Sequence, residues 1–114
     1  MSHTTQERTF NKLVRDEIVG TLHKKGVRCE YYSLPDGQML AALDNKLREE
    51  FEEYMQANES NKLEEIIDLI EVLTERARRM GIDKSQLEDL MTIKRMVKGG
   101  FRDNLFLVST TEWV

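Results

Sequence analysis

Residues 37–80 read GQMLAALDNKLREEFEEYMQANESNKLEEIIDLIEVLTERARRM, and this stretch decides the fold. In its first half, apolar side chains recur at steps of three and four, the period of an amphipathic helix: Leu40, Leu43, Leu47, Phe51 and Met55. We predict a helix over residues 37–57 with Asp36 as its N-cap, and a second helix over residues 62–80. Because only a short polar turn separates them, we expect an antiparallel hairpin.

The second helix of this hairpin has an unusually wide apolar surface. At 100° per residue, its apolar side chains span about 220° of the circumference, about twice what an ordinary surface helix needs. They are Leu63, Ile66, Ile67, Leu69, Ile70, Val72 and Leu73. Such a helix is covered on more than one side, and in a chain of 114 residues the second cover is expected to be another subunit. The periodicity predicts a homo-oligomeric helical bundle, either a homodimer or a tetramer.

The flanking regions add shorter elements. Apolar spacing predicts a helix over residues 10–25 and another over 84–98, each ending at glycine. Residues 27–34 have the β-branched and aromatic content of a strand, and residues 105–108 are predicted to pair with them. The fold class is therefore mainly α, an antiparallel helical bundle with a minor two-stranded β element, completed by oligomerisation. Residues 1–9 are predicted to be a flexible tail, and residues 10–114 a single domain.

Composition and charge exclude several classes of protein. The chain has 17 Lys and Arg against 21 Asp and Glu, and residues 44–75 alone carry 11 acidic against three basic side chains. This acidic block repels nucleic-acid phosphates but attracts metal cations. The lone Cys29 cannot form an intrachain disulfide, and no apolar run approaches the roughly 18 residues of a membrane span. We expect a soluble, cytoplasmic protein that binds neither nucleic acid nor membranes.

Acidic side chains recur at three-residue steps in both hairpin helices. Glu50 and Glu53 share one face of the first helix, and Glu65 and Asp68 share one face of the second. Four carboxylates that converge from neighbouring helices repel one another unless a cation lies among them. A hard divalent ion with oxygen ligands removes this conflict, and Mg²⁺ is the natural choice for a phosphate substrate.

A simpler interpretation of the same glutamates stays open. They are also spaced for helix-stabilising (i, i+4) ion pairs such as Lys46–Glu50. Glu49 and Glu52 form a competing pair, turned further toward solvent. Acidic helices are common, and most of them bind nothing.

The acidic motifs and two flanking segments resemble a known superfamily. The motifs are Glu50-x-x-Glu53 and, after eleven residues, Glu65-x-x-Asp68. This pair is similar to the motif of the all-α nucleoside triphosphate pyrophosphohydrolases, which include MazG, dimeric dUTPases and phosphoribosyl-ATP pyrophosphohydrolase. Residues 11–18, NKLVRDEI, and 94–101, KRMVKGGF, resemble the N-terminal and C-terminal segments of the small MazG-like, phosphoribosyl-ATP-pyrophosphohydrolase-like members. The resemblance covers residues 10–107.

This resemblance implies a nucleotide pyrophosphohydrolase. Such enzymes cleave a nucleoside triphosphate, or a nucleotide like phosphoribosyl-ATP, between the α and β phosphates with Mg²⁺, for which Mn²⁺ is a possible substitute. The implied metal ligands are Glu50, Glu53, Glu65 and Asp68, and the implied catalytic carboxylates are Glu49, Glu50 and Glu53. The implied substrate-binding cations are Lys12, Arg15, Lys94 and Lys98. A house-cleaning role in the nucleotide pool is one expectation.

A second hypothesis belongs to a different class. The chain would be a non-catalytic helical module that uses its wide apolar helix for oligomerisation or for binding a partner. Four mutually repelling carboxylates at an apolar border favour the enzyme, because a scaffold gains nothing from them.

Overall fold

The structure is a computed structural model that describes residues 4–113. Four helices make up its regular secondary structure within those residues, which establishes the mainly α class: α1 Ile18–Lys24, α2 Asp36–Gln56, α3 Glu59–Arg78 and α4 Lys84–Lys98. The last three begin and end within three residues of the predicted bounds. None of the helices in this part of the chain is both long enough and apolar enough to cross a membrane.

Helices α2 and α3 form the predicted hairpin. The turn at residues 57–58 ends in Asn58, whose side chain caps α3 by accepting a 3.2 Å hydrogen bond from the backbone N–H of Asn61. The N-cap of α2 is Pro35 rather than the predicted Asp36. Asp36 instead occupies the first turn, where its negative charge suits the helix dipole.

The first predicted helix is wrong over residues 10–17. Only residues 18–24 are helical, and the preceding segment runs as irregular chain with Asn11 at a φ of 45°. Lys12 and Arg15 form ion pairs with side chains of α2 and α3, so this segment lies against the hairpin. Its local apolar spacing therefore does not predict its conformation, which includes contacts to residues distant in sequence.

The predicted β element does not form in residues 4–113. Residues 28–34 and 105–108 have no backbone partner there, and the apolar side chains of 105–108 are 77–90% exposed. A two-stranded ladder needs apolar cover to be stable, and a single chain offers none here. Of the predicted flexible tail, residues 4–9 have no helix or strand, while residues 1–3 lie outside the described residues, as does Val114.

The four helices do not pack together around one common core. Helix α3 contacts both α2 and α4, whereas α1 packs on no other helix within the described chain. The radius of gyration is 20.3 Å, against about 13 Å for a compact domain of this length. A single chain therefore forms a closely packed hairpin with extended flanks, and a closed bundle is not formed.

Candidate metal centre

Glu50 occupies a core position in the hairpin. Along α2, the least exposed side chains recur at helical steps and include Leu43, Leu47, Glu50 and Tyr54. Only Leu43 and Glu50 are buried in this helix, and Glu50 is just 6% exposed. A carboxylate at such a position is costly unless it has partners.

Carboxylates from both helices surround Glu50. Oxygens of Glu50, Glu65 and Asp68 lie within 4.8 Å of one another. A second group, also within 4.8 Å, joins Glu50 to Glu49 and Glu53. Three of the four residues predicted as metal ligands therefore share one group, and the fourth, Glu53, lies with Glu50 in the other.

Two carboxylate oxygens of these residues have no hydrogen-bond partner in the described part of the chain. Oε2 of Glu50 and Oε2 of Glu65 are both buried and unpaired. Buried acceptors without a partner are rare in folded proteins, because each loses its hydration. Carboxylate oxygens are the ligands that hard cations such as Mg²⁺ and Mn²⁺ bind. The residues present therefore fit a divalent cation.

The environment of Glu50 raises the pKa of its carboxyl group. Burial is the largest cause, and the negative charge of the neighbouring Glu53 adds to the shift. Lys46 opposes it, with Nζ 3.5 Å from Oε1 of Glu50. The site as it stands is short of positive charge.

Three basic side chains border the carboxylates. Nζ of Lys12 donates a 2.9 Å hydrogen bond to Oε1 of Glu49, and Nη2 of Arg15 donates a 2.7 Å bond to Oδ1 of Asp68. Lys46 also reaches Glu49, at 3.3 Å. Burial opposes ionisation of Glu49, but the hydrogen bonds from the two lysines outweigh it and lower the pKa of that carboxyl group. The bond to Glu49 likewise raises the pKa of Lys12.

Lys46 is the site residue that the sequence interpretation missed. Its spacing to Glu49 and Glu50, (i, i+3) and (i, i+4), was available as a signal but indicated only helix support. The structure shows that it touches the carboxylate group itself, with a side chain that is only 12% exposed.

Lys94 and Lys98, the other two predicted substrate-binding cations, lie away from these carboxylates. They line an open groove of about 500 Å³ at the end of α4, together with Met91, Phe101 and the glycines between. Neither lysine forms an ion pair within residues 4–113. The structure therefore places two of the four predicted substrate-binding cations at the carboxylates, and the other two outside the site.

Three acidic residues at the open end of the hairpin, away from the turn, are paired with arginine. Nε of Arg76 lies 3.0 Å from Oδ1 of Asp44, and Nη1 of Arg79 lies 3.1 Å from Oδ1 of Asp36. Glu75 accepts hydrogen bonds from Arg78 and Arg79 at 2.6–2.8 Å. We call these six residues the arginine cluster.

Comparisons with protein families, with curated proteins and with solved structures give no significant match. The resemblance to the MazG-like pyrophosphohydrolases therefore stays a prediction.

Proposed function

We propose that this chain is a Mg²⁺-dependent nucleotide pyrophosphohydrolase. It cleaves a nucleoside triphosphate, or a related nucleotide, between the α and β phosphates and releases a monophosphate and pyrophosphate. The observation that carries the proposal is the buried Glu50, whose unpaired oxygen lies among carboxylates of α2 and α3. Removal of unwanted nucleotides from the cytoplasmic pool fits this chemistry.

The ligands proposed for the metal are Glu50, Glu53, Glu65 and Asp68. When bound, Mg²⁺ supplies a Lewis acid for the phosphoryl oxygens, positive charge for the developing negative charge, and a lower pKa for attacking water. Mn²⁺ accepts the same oxygen ligands and is the expected substitute. The two unpaired oxygens, on Glu50 and Glu65, support this assignment because a cation gives them the partner that the chain does not.

Two carboxylates are candidates to accept the proton of the attacking water. Glu49 is held ionised by Lys12 and Lys46, so it is ready to accept a hydrogen bond at neutral pH. Glu53 is exposed and belongs to the same oxygen group as Glu50. A glutamine at each position in turn separates the two: the base is the residue whose loss removes the acidic limb of the pH–rate profile.

The phosphates also need cations from the protein, since a triphosphate carries about four negative charges. Lys12 and Arg15 are the candidates supported by position, because both lie within 3 Å of site carboxylates. Their side chains are 38% and 51% exposed, so both can exchange a carboxylate for a phosphate without a large desolvation cost. For Lys94 and Lys98, the proposed phosphate contact is supported by the resemblance alone.

The test is a product assay with matched variants. The protein is incubated with a panel of nucleoside and deoxynucleoside triphosphates and Mg²⁺, and pyrophosphate, orthophosphate and monophosphate are measured. We expect pyrophosphate and monophosphate from wild type, and loss of both in Glu50→Gln and Asp68→Asn. Release of orthophosphate and a diphosphate would place the cleavage at the wrong bond, and unchanged variants would refute the residue assignment.

A partner-binding module is the second candidate function. One observation favours it: large apolar side chains are exposed on α2, α3 and α4 and along residues 101–113. Thermal melting separates the two candidates, because a metal that binds the folded state raises Tm and a scaffold without a metal site shows no such shift.

A further inference from the structure

Residues 10–17 lie against the hairpin as irregular chain, and we call them the N-terminal strap. None of their backbone N–H groups donates a hydrogen bond within residues 4–113, and every side chain of the strap except Leu13 is exposed. The strap contacts the hairpin through two ion pairs, Lys12–Glu49 and Arg15–Asp68. Because exposed ion pairs contribute little to stability, both can open without unfolding the helices.

Both ion pairs of the strap involve carboxylates of the candidate metal centre. Arg15 lies 2.7 Å from Asp68, which belongs to one oxygen group around Glu50. Lys12 lies 2.9 Å from Glu49, which belongs to the other group. Each group therefore has one strap cation at its edge. A divalent cation held by the same carboxylates is repelled by these positive charges.

The charges around the centre show what a divalent cation has to displace. The two oxygen groups contain five different carboxylates, bordered by three basic side chains. Lys46 is only 12% exposed and belongs to α2 itself, so it stays in place. The strap supplies the other two positive charges, which equal the charge of one Mg²⁺. Exchange of both strap cations for one divalent ion thus leaves the total charge of the centre unchanged.

The exchange also satisfies groups that the strap leaves without a partner. Oε2 of Glu50 and Oε2 of Glu65 stay unpaired while Lys12 and Arg15 are in place. Lysine and arginine bind phosphate as readily as carboxylate, and a nucleotide brings several phosphate charges. A bound phosphate is therefore a new partner for the strap cations, and their departure leaves the carboxylates to the metal.

We propose that the N-terminal strap competes with the divalent cation for the carboxylates. Lys12 and Arg15 stay on Glu49 and Asp68 until a phosphate group binds these two basic side chains instead. Metal and phosphate consequently bind cooperatively, and each raises the affinity for the other. This inference rests on the metal centre of the proposed function and is independent of whether the chain hydrolyses the nucleotide.

The first experiment titrates Mn²⁺ in chloride buffer and follows it by electron paramagnetic resonance for wild type, Arg15→Gln and the control Arg78→Gln. The control is matched, because Arg78 is 59% exposed against 51% for Arg15 and lies 2.6 Å from Glu75. It lies ten residues beyond Asp68 on α3, about 15 Å away. We expect Arg15→Gln to bind Mn²⁺ about tenfold more tightly than wild type, and Arg78→Gln to match wild type within about twofold.

The direction of this change separates competition from a structural role. Loss of a structural ion pair would loosen the centre and weaken Mn²⁺ binding, whereas loss of a competing cation strengthens it. Arg15→Lys keeps the positive charge and should therefore bind Mn²⁺ within about threefold of wild type. The proposal is overturned if Arg15→Gln binds no more tightly than wild type, or if Arg78→Gln gains as much.

The second experiment tests the transfer of the strap cations to phosphate. Mn²⁺ is titrated in inorganic phosphate and in chloride of equal ionic strength, with the Mn²⁺ bound by phosphate itself subtracted. We expect phosphate to raise the Mn²⁺ affinity of wild type at least about fivefold, and to have no such effect on the double variant Lys12→Gln/Arg15→Gln. An equal rise in both proteins, or none in wild type, would contradict the transfer.

The outcomes distinguish this inference from the proposed function. Tighter Mn²⁺ binding by Arg15→Gln, without pyrophosphate release from any nucleotide by wild type, would refute hydrolysis and support the competition. Pyrophosphate release by wild type, together with equal Mn²⁺ affinity in wild type and Arg15→Gln, would refute the competition alone. Absence of Mn²⁺ binding in both proteins would overturn the competition and the metal centre together.

Discussion

The two halves of the α2–α3 hairpin differ in whether their carboxylates are paired with basic side chains. In the arginine cluster, every carboxylate of Asp36, Asp44 and Glu75 has a guanidinium within 3.1 Å. At the candidate metal centre, Glu50 and Glu65 each retain a buried oxygen with no partner. The same pair of helices therefore carries one acidic cluster that is neutralised and one that is not.

The pKa values follow this difference. The hydrogen bond from Arg78 is the largest cause that lowers the pKa of Glu75. Burial raises this pKa and the hydrogen bond from Arg79 lowers it further, so that the pKa is about 2. Burial and Glu53 raise the pKa of Glu50 instead. The comparison teaches that an acidic helix is not in itself a site. What marks Glu50 is burial without sufficient positive charge, and this is the reason for proposing a cation there.

The largest expected effect is on hydrolysis. Glu50→Gln removes the carboxylate common to both oxygen groups, and we expect kcat to fall by at least about 100-fold, since metal ligands contribute several kcal/mol to catalysis. Glu75→Gln is the matched control from the arginine cluster and should leave kcat within about twofold. Pyrophosphate release measures both. Equal losses of kcat in the two variants would show that the carboxylates of the two clusters do not differ in their effect on hydrolysis.

Metal-linked stability comes next. We predict that Mg²⁺ at 100 times its Kd raises the free energy of unfolding by about 2.7 kcal/mol and Tm by several degrees. We expect Glu65→Gln to abolish this rise, because it removes one of the unpaired oxygens, and Glu75→Gln to retain it. Differential scanning calorimetry with and without Mg²⁺ measures the shift. A rise in Glu65→Gln equal to that of wild type would exclude Glu65 as a ligand.

Without metal, the sign of a glutamine substitution should differ between the clusters. In a chelating buffer at pH 7, Glu50→Gln removes a buried charge that lacks a full partner, so we expect a gain of about 1 kcal/mol in the free energy of unfolding. Glu75→Gln removes a paired charge and should lose stability. Urea unfolding of both variants provides the measurement. Destabilisation by Glu50→Gln would show that Lys46 alone satisfies that carboxylate.

The smallest effect is the pH dependence of the arginine cluster. The pKa of Glu75 is about 2 in the folded chain and near 4.5 ordinarily, so its contribution is complete above pH 4.5 and is lost as pH falls toward 2. Because these ion pairs are partly exposed, we expect only about 0.5–1 kcal/mol. Stability curves of wild type and Glu75→Gln should therefore converge in that window. If the two stability curves stay parallel, the ion pairs of Glu75 do not contribute to the pH dependence of stability.

The sequence predicted the hairpin well because its information is local. Apolar spacing located α2, α3 and α4, and the three-residue steps placed Glu50 near Glu53 on α2 and near Glu65 and Asp68 on α3. The same reasoning was wrong for residues 10–17, which lie against the hairpin through contacts such as Arg15–Asp68, between residues 53 apart in sequence. The contrast between the clusters was only partly visible in the sequence. Glu75 pairs with Arg78 and Arg79 at the local (i, i+3) and (i, i+4) spacings, whereas Arg79 meets Asp36 across 43 residues, a contact that no local pattern predicts.

The central claim is that a divalent cation binds where Glu50 lacks a partner. Titration of Mn²⁺ followed by electron paramagnetic resonance tests it directly, because free and bound Mn²⁺ give different signals. We predict saturable binding by wild type and by Glu75→Gln, and affinity at least about tenfold weaker in Glu50→Gln. Equal Mn²⁺ affinity in Glu50→Gln and wild type, or no binding by wild type, would contradict the account.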